Sequence, residues 1–497
     1  MEKIIRLADP VFSAGDEIGV DCEMLLPDYY PEVSKILDCA VSYAEEAVTV
    51  TSDRITYSGR ARFDLMYLSE QNTLTSYTSI QKFTKNLGGA GFEAGDFCRA
   101  EVLPGNLNFK ASAPRRVDCH AVATVRVTVI RTADKAVSEP DNEQNVQRRI
   151  FKTEVFSPAA LTNVTLNLSD RVQLPVPKDK VSGLRALTAS AVVREVSCIK
   201  NKTLVKGELA VSFDCVDTEG KVYADQRVTL PFSEVKDVFG VDETLEVHAF
   251  ADAADVDVDL KSVAFADDEA PFTAKIRLMF IAGADGTLEA ADDLYVPHDK
   301  AEFTRERVGI PVAVTPVKQE IGFTLDADGI DLGVSNARLV ETGDVVYKLI
   351  PRDGQTVLSG SLRVSALCKL SDGGDYCVSR KKTFETVLPE CDENDTAFLT
   401  VKAGDVACET RVDALRFSGT VNVEGLVIKR TEKNLVTSVS GVETRTQEYD
   451  NLTVYYANAG EDLWEIAKAN DARFDLLADL NDELPDVLTE PRVLLLK

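Results

Sequence analysis

A strand pattern that occurs three times is what most constrains the fold of this chain. Tyr57-Ser58-Gly59-Arg60-Ala61-Arg62-Phe63-Asp64-Leu65 has counterparts in Val205-Lys206-Gly207-Glu208-Leu209-Ala210-Val211-Ser212-Phe213 and in Leu358-Ser359-Gly360-Ser361-Leu362-Arg363-Val364-Ser365-Ala366. Counted from each glycine, every second residue is apolar or small: Ala61, Phe63, Leu65 and Tyr67, then Leu209, Val211, Phe213 and Cys215, then Leu362, Val364, Ala366 and Cys368. The residues between them are mostly polar, and this period of two describes a strand with one face in a core. A second strand follows each, ending in Phe83, Phe232 and Phe384, which lie 24, 25 and 24 residues after the glycines. A later strand begins at Val125, Ile276 and Val421. The glycines are 148 and 153 residues apart, and one order at nearly one spacing is the mark of tandem copies. Each glycine is read as the place where its strand comes close to another backbone, or as a bulge.

The expected fold is mainly β, with three tandem β-sandwich-like domains over residues 1–133, 150–282 and 301–430, followed by a small βααβ module over 451–497. A length of 497 residues agrees with three ordinary domains. The polar stretches 134–149, 283–300 and 429–450 read as linkers.

From Asn451 the pattern changes. Leu452-Thr453-Val454-Tyr455-Tyr456 alternates like a strand, and Gly460-Glu461-Asp462 turns the chain and can cap a helix. Leu463, Ile466 and Ala467 have helical spacing, Phe474, Leu477 and Leu480 repeat it, Pro485 breaks it, and Val493-Leu494-Leu495-Leu496 closes as a strand. Val454, Gly460, Leu463, Ile466-Ala467 and Leu480-Asn481 stand where they stand in a LysM module, which this segment resembles. It departs from the family at Glu461-Asp462 in the first turn, at Glu490-Pro491 before the last strand, and in lacking the closing proline. The resemblance implies a ligand groove between two stretches. One is Gly460, Glu461, Asp462, Leu463 and Trp464, and the other holds Leu484, Val487, Leu488, Thr489 and Glu490. LysM grooves hold N-acetylglucosamine chains, and some bind proteins instead. Trp464 reads either as a core residue of a small module or as an exposed anchor on its rim.

In the first copy, Leu26-Pro27-Asp28, Ser34-Lys35-Ile36-Leu37, Asp53-Arg54-Ile55-Thr56-Tyr57-Ser58-Gly59 and Leu65-Met66-Tyr67-Leu68-Ser69 resemble the SPOCS domain. The other copies keep the glycine and phenylalanine strands and lose the Lys-Ile-Leu segment. Three such domains before one LysM resemble the SipL-type spore morphogenetic proteins. That resemblance implies a non-enzymatic scaffold of spore coat assembly. It would be made in the mother-cell cytoplasm, gather at the forespore surface and bind the coat basement-layer ATPase through its LysM module. The alternative is a peptidoglycan-binding protein of the cell wall or a phage tail, with the β-domains as spacers. A third reading, a glycan-cleaving enzyme targeted by LysM, requires an acid pair particular to one β-domain, and none stands out.

Composition narrows the chemistry. The net charge is −27, against the cationic surface that nucleic acid or an anionic lipid headgroup requires. No apolar run reaches the ~18 residues of a membrane span, so no membrane insertion is expected, and the N-terminal run is short for a signal peptide. The ten cysteines contain no C-x-x-C pair and read as reduced, mostly buried thiols, with late cross-linking the other reading. No catalytic residue, metal or cofactor is expected. Gly88-Gly89-Ala90-Gly91 lacks the lysine and hydroxyl of a phosphate loop, and His120 beside Cys119 sits in an alternating strand. Asp326-Ala327-Asp328-Gly329-Ile330-Asp331 misses the EF-hand spacing, and Asp255-Val256-Asp257-Val258-Asp259 reads as an exposed strand face.

Overall fold

A computed structural model of the chain describes residues 2–138, 146–261, 266, 268–297, 300–328, 334–411, 414–443, 453–481 and 484–496. Most of these residues are in antiparallel strands. The first unit has β1 (Glu2–Leu25), β2 (Val33–Val50), β3 (Arg54–Ser69), β4 (Leu74–Gly88), β5 (Phe97–Ala113) and β6 (Arg116–Ser138). They form two sheets, in the orders β1-β6-β5 and β2-β3-β4. The second unit has β7 (Gln147–Gln173), β8 (Val181–Ile199), β9 (Lys202–Asp217), β10 (Val222–Asp237), β11 (Glu246–Val258) and β12 (Glu269–Tyr295). Its orders, β7-β12-β11 and β8-β9-β10, repeat the first. The third has β13 (Lys300–Asp328), β14 (Val334–Thr342), β15 (Val346–Arg352), β16 (Gln355–Leu370), β17 (Asp375–Asp392), β18 (Thr396–Thr410) and β19 (Ala414–Glu443). Here the second strand is broken in two, so that β14 and β15 both pair with β16.

Each unit buries one core between its two sheets. The alternating residues chosen from the sequence fill it: Phe63, Val211 and Val364 are buried, as are Val127, Leu278 and Val423 from the facing sheets. The structure also explains the spacing from glycine to phenylalanine. Gly59 pairs directly with Phe83, Gly207 with Phe232 and Gly360 with Phe384, so each hairpin lays a ring over a glycine. A Cβ on Gly59 would lie 2.9 Å from both the Phe83 ring and the Ala44 carbonyl oxygen, and on Gly360 2.9 Å from the Val346 oxygen. At Gly207 the Val192 oxygen and the Phe232 ring come closer still. In the first two units the neighbouring strand bulges opposite the glycine; in the third Gly360 pairs with Tyr347, and the break between β14 and β15 falls just beyond, opposite Leu362 and Arg363. The close-approach reading of the glycine therefore holds in all three units, and the bulge reading in the first two. Gly207→Ala is expected to cost about 1–3 kcal/mol by overpacking, read as a lowered urea midpoint. An unchanged midpoint would mean that the ring and the bulge yield freely.

The linker readings need correction. Residues 283–295 continue β12 and pair with 147–158 of β7. Residues 429–443 continue β19 and pair with 300–313 of β13. Residues 134–138 are the end of β6, paired with β1. Segments 139–145 and 444–452 and His298 lie outside the described residues. In every unit the first and last strands thus run beyond the sandwich as a long two-stranded ribbon. These stretches look polar because one face of each ribbon is wet. The other face is apolar, with Leu288, Ala290, Leu294 and Leu435 buried.

The ribbons and sheets pack on one another. Ala8, Phe97 and Ile130 of the first unit meet Phe156, Phe250, Met279 and Ile281 of the second and Val314, Phe398, Leu426 and Ile428 of the third. Each unit contributes its first, fifth and sixth strands to this shared interior. Further along, Ile5, Leu7 and Val137 join Leu288, Ala290, Val308, Ile310 and Leu435. A separate junction is ionic. Arg185 of β8 is fully buried and forks onto Glu341 of β14 at 2.7 and 2.8 Å. It also donates to the Asp64 carbonyl at 3.2 Å and lies 4.0 Å from Asp38 of β2. Arg363 of β16 pairs with Asp38 from the other side. A break in the β8–β9 register after Arg185, with Ala186 at φ 45°, turns the guanidinium inward.

Asp214 of β9 lies beside this junction, and burial pushes its carboxyl up to about 7. The hydrogen bond from Asp225 N (2.7 Å) and the charge of Arg185 oppose the shift, and Glu341 adds to it. The folded chain then holds a proton that the unfolded chain releases near pH 3.8. The resulting stability is fully present below the unfolded value and is lost as pH rises through about 7. Asp214→Asn is expected to flatten the fall in melting temperature between about pH 4 and pH 7. An equal fall in the variant would sink this assignment.

All ten cysteines are free thiols; Cys22, Cys39, Cys119, Cys215, Cys368 and Cys391 are buried and the other four half-buried. Cys39 and Cys119 face each other between the sheets of the first unit at 3.9 Å. Among the described residues, no helix is long and apolar enough to cross a membrane.

Candidate functional site

The C-terminal segment folds as β20 (Thr453–Ala457), α1 (Leu463–Ala469), α2 (Phe474–Leu480) and β21 (Arg492–Leu496), the strand–helix–helix–strand order expected from its spacing. The strands form an antiparallel pair, Val454 opposite Leu495 and Tyr456 opposite Val493. Gly460 turns the chain at φ 89°, a left-handed value that favours glycine. Asp462 caps α1 by accepting from Trp464 N at 2.8 Å. Leu463, Ile466, Ala467, Leu477, Leu488, Leu494 and Leu496 make the module's small core.

The structure brings the two predicted stretches together. Gly460 N donates to Leu488 O at 2.7 Å, Leu488 N to Glu461 O at 3.0 Å, and Leu463 N to Asp486 O at 2.9 Å, with Asp462 bridging Val487. Main-chain bonds therefore lace the stretches edge to edge. Of the ten candidate residues, Gly460, Val487, Thr489 and Glu490 are exposed, and Glu461, Asp462 and Leu484 are half-buried. Leu463, Trp464 and Leu488 are buried and offer no side chain to a ligand.

Trp464 is accordingly not an exposed anchor. It is 2% exposed, and part of its cover comes from the ribbon tip. The Tyr295 ring stands edge-on at 4.9 Å and Phe474 at 5.2 Å, with the Arg149 guanidinium 5.9 Å above the indole. The indole Nε1 donates to Asp293 Oδ2 at 2.9 Å, and Lys468 Nζ reaches the same oxygen at 2.7 Å. Burial alone would raise the Asp293 carboxyl, but the hydrogen bonds from Lys468 and Trp464 outweigh it and hold it below its ordinary value. Tyr295 OH donates to Ala472 O at 2.7 Å, and Asp475 N donates to Gln147 Oε1 at 3.1 Å. The neighbouring Asp292 takes Arg149 at 2.7 Å and Lys433 at 2.9 Å, so strands of two units are tied where the module docks. Sequence reading missed Arg149, Asp293 and Tyr295. They sit in stretches read as linkers, and no local pattern connects them with a tryptophan some 170 residues after Asp293 and Tyr295 and 315 after Arg149.

The other singled-out residues are occupied structurally. His120 is exposed and bonded to Asp21 at 2.6 Å, while Cys119 points into the core, so the two do not form a nucleophile pair. Asp326 is held by Arg416 at 2.6 and 2.7 Å, and Gly329 to Asp331 lie outside the described residues. Asp255 pairs with Arg60 of the first unit, while Val256 between the aspartates is buried. No protein-family model, characterised protein or solved structure matches the chain, so the module's role is argued from its own geometry.

Proposed function

We propose that this chain is a scaffold: three SPOCS-like β-sandwich domains in tandem form a body that holds a LysM-like module at one end to bind a partner protein. The observation that carries this reading is the docking itself. Trp464, Lys468 and Asp475 are held by Asp293, Tyr295 and Gln147, so the module keeps a fixed pose on the ribbon tip. A fixed pose suits positioning a partner more than searching along a flexible glycan. The acidic surface favours protein as well: residues 452–497 carry ten acidic and four basic side chains. The resemblance in sequence supports a scaffold of spore coat assembly, with the basement-layer ATPase as partner and the mother-cell face of the forespore as its location.

Tagged full-length protein and a version lacking residues 451–497 are compared in sporulating cells. The full chain is expected at the forespore and the shortened chain diffuse in the mother cell. Diffuse signal from both would sink the scaffold reading. Pelleting of the intact protein with purified peptidoglycan would favour the glycan-binding alternative.

A further inference from the structure

The two edges of the C-terminal sheet are not equivalent. On β21, the Asn481 side chain acts as a substitute strand: its Nδ2 donates to Leu495 O at 2.9 Å and its Oδ1 accepts from Leu495 N at 2.8 Å. The main-chain groups of Leu495 therefore point away from β20. In an antiparallel ladder this makes Leu495 and Val454 a non-hydrogen-bonded pair, and the alternation makes Val493 and Tyr456 another. The N–H and C=O of Val454 and of Tyr456 consequently face outward from β20. Among the described residues nothing caps them as Asn481 caps Leu495.

The side chains on this edge are open too. Tyr456 is 77% exposed, Val493 57% and Val454 49%. Edge strands are normally guarded by charge or proline. In the three large units the fourth strand is so guarded, by Lys82 and Lys85 on β4, Pro231 and Lys236 on β10, and Arg380, Lys381 and Lys382 on β17. The sequence of β20, Thr-Val-Tyr-Tyr-Ala, has no charge, proline or glycine. The loops beside it carry Glu461, Asp486 and Glu490 in a module with a surplus of acidic groups.

We propose that β20 accepts an extended cationic segment of a partner protein as a third strand of the C-terminal sheet. Val454 and Tyr456 supply the main-chain hydrogen bonds, and alternate side chains of the segment lie on the Val454, Tyr456 and Val493 surface. The acidic loops select lysine and arginine at the intervening positions and disfavour a second copy of this acidic module. This inference rests on the reading of the module as a partner-binding element, and it moves the contact from the laced groove to the free strand edge.

Hydrogen exchange of the full-length chain tests it, with a capped dodecapeptide of alternating valine and lysine as probe and its valine–glutamate counterpart as control. The lysine peptide is expected to slow exchange at Val454 and Tyr456 by about tenfold or more, a change worth ~1.4 kcal/mol. Two variants should weaken binding of the labelled peptide by a similar factor. Tyr456→Pro removes an outward donor and no ladder bond, and Val454→Lys adds an opposing charge at an exposed site. Trp464 emission reports that the module remains folded in each. Four results would overturn the proposal: protection confined to 460–464 and 484–490, equal protection by the glutamate peptide, no effect of either variant, or protection of β20 that grows with protein concentration alone, which would make a second copy the occupant. Failure of the cell experiment with residues 451–497 removed would count against the scaffold role and leave this edge result standing by itself.

Discussion

Replacing Arg185 with methionine is expected to destabilise the chain by about 3–5 kcal/mol, the usual cost of breaking a buried ion pair by removing one partner. The side chain has no exposed surface, and three units converge on it. Burial works against its charge, but Glu341 and Asp38 hold it protonated far above its ordinary range. Without it, the buried Glu341 carboxyl loses its partner, and Asp38 retains only Arg363. Denaturant unfolding followed by circular dichroism reads the loss. Arg185→Met combined with Glu341→Leu is expected to recover much of it, because the stranded carboxylate is then gone. If the single variant loses under about 1 kcal/mol, the junction is wetter than the structure shows. If the double variant is no better than the single, the penalty comes from packing rather than from unpaired charge.

Tyr295→Ala is expected to open the contact between ribbon and module and to redden the protein's tryptophan emission. Trp464 is the sole tryptophan, so the signal belongs to one site. Truncating a buried aromatic costs about 3–5 kcal/mol. Here the loss falls on a 7-residue helix and its small core, which share Tyr295. The Tyr295–Ala472 hydrogen bond goes with it, while the Asp293 contacts to Trp464 and Lys468 remain. The expected result is stronger acrylamide quenching and faster proteolysis within 453–496, with the large units still melting as in the parent. Asp293→Asn keeps the acceptor and removes the charge, so it should weaken docking less. Unchanged emission in Tyr295→Ala would mean that the module buries its tryptophan unaided, and a fixed pose would lose its main support.

The repeat was legible because a half-buried strand writes its period into the sequence. Phe63, Val211 and Val364 occupy equivalent core positions because their neighbours alternate with water. The linkers were misread for the same reason. A ribbon with one wet face looks polar in composition, and its buried partners, Leu288 or Leu435, belong to other units. Nothing local marks Arg185 either. It lies in an ordinary strand, and only the register break beside it turns the guanidinium toward two other units. At the candidate site, the helical spacing of Leu463, Ile466 and Ala467 and the turn at Gly460 were readable. The fate of Trp464 was not, because Arg149 of β7 and Asp293 and Tyr295 of β12 help to cover it.

By itself, then, the sequence determined three copies of one β pattern, a different final module, and the residues on the core side of each strand. These follow from nearest-neighbour periodicity and turn chemistry, which act within a few residues. Only the tertiary structure decided that the first and last strands extend as packed ribbons, that a charged cluster joins the units, and that Trp464 is covered while the edge of β20 is left open among the described residues. Those outcomes depend on which surfaces meet across more than 100 residues, and contact at that range is set by burying complementary faces rather than by any local signal.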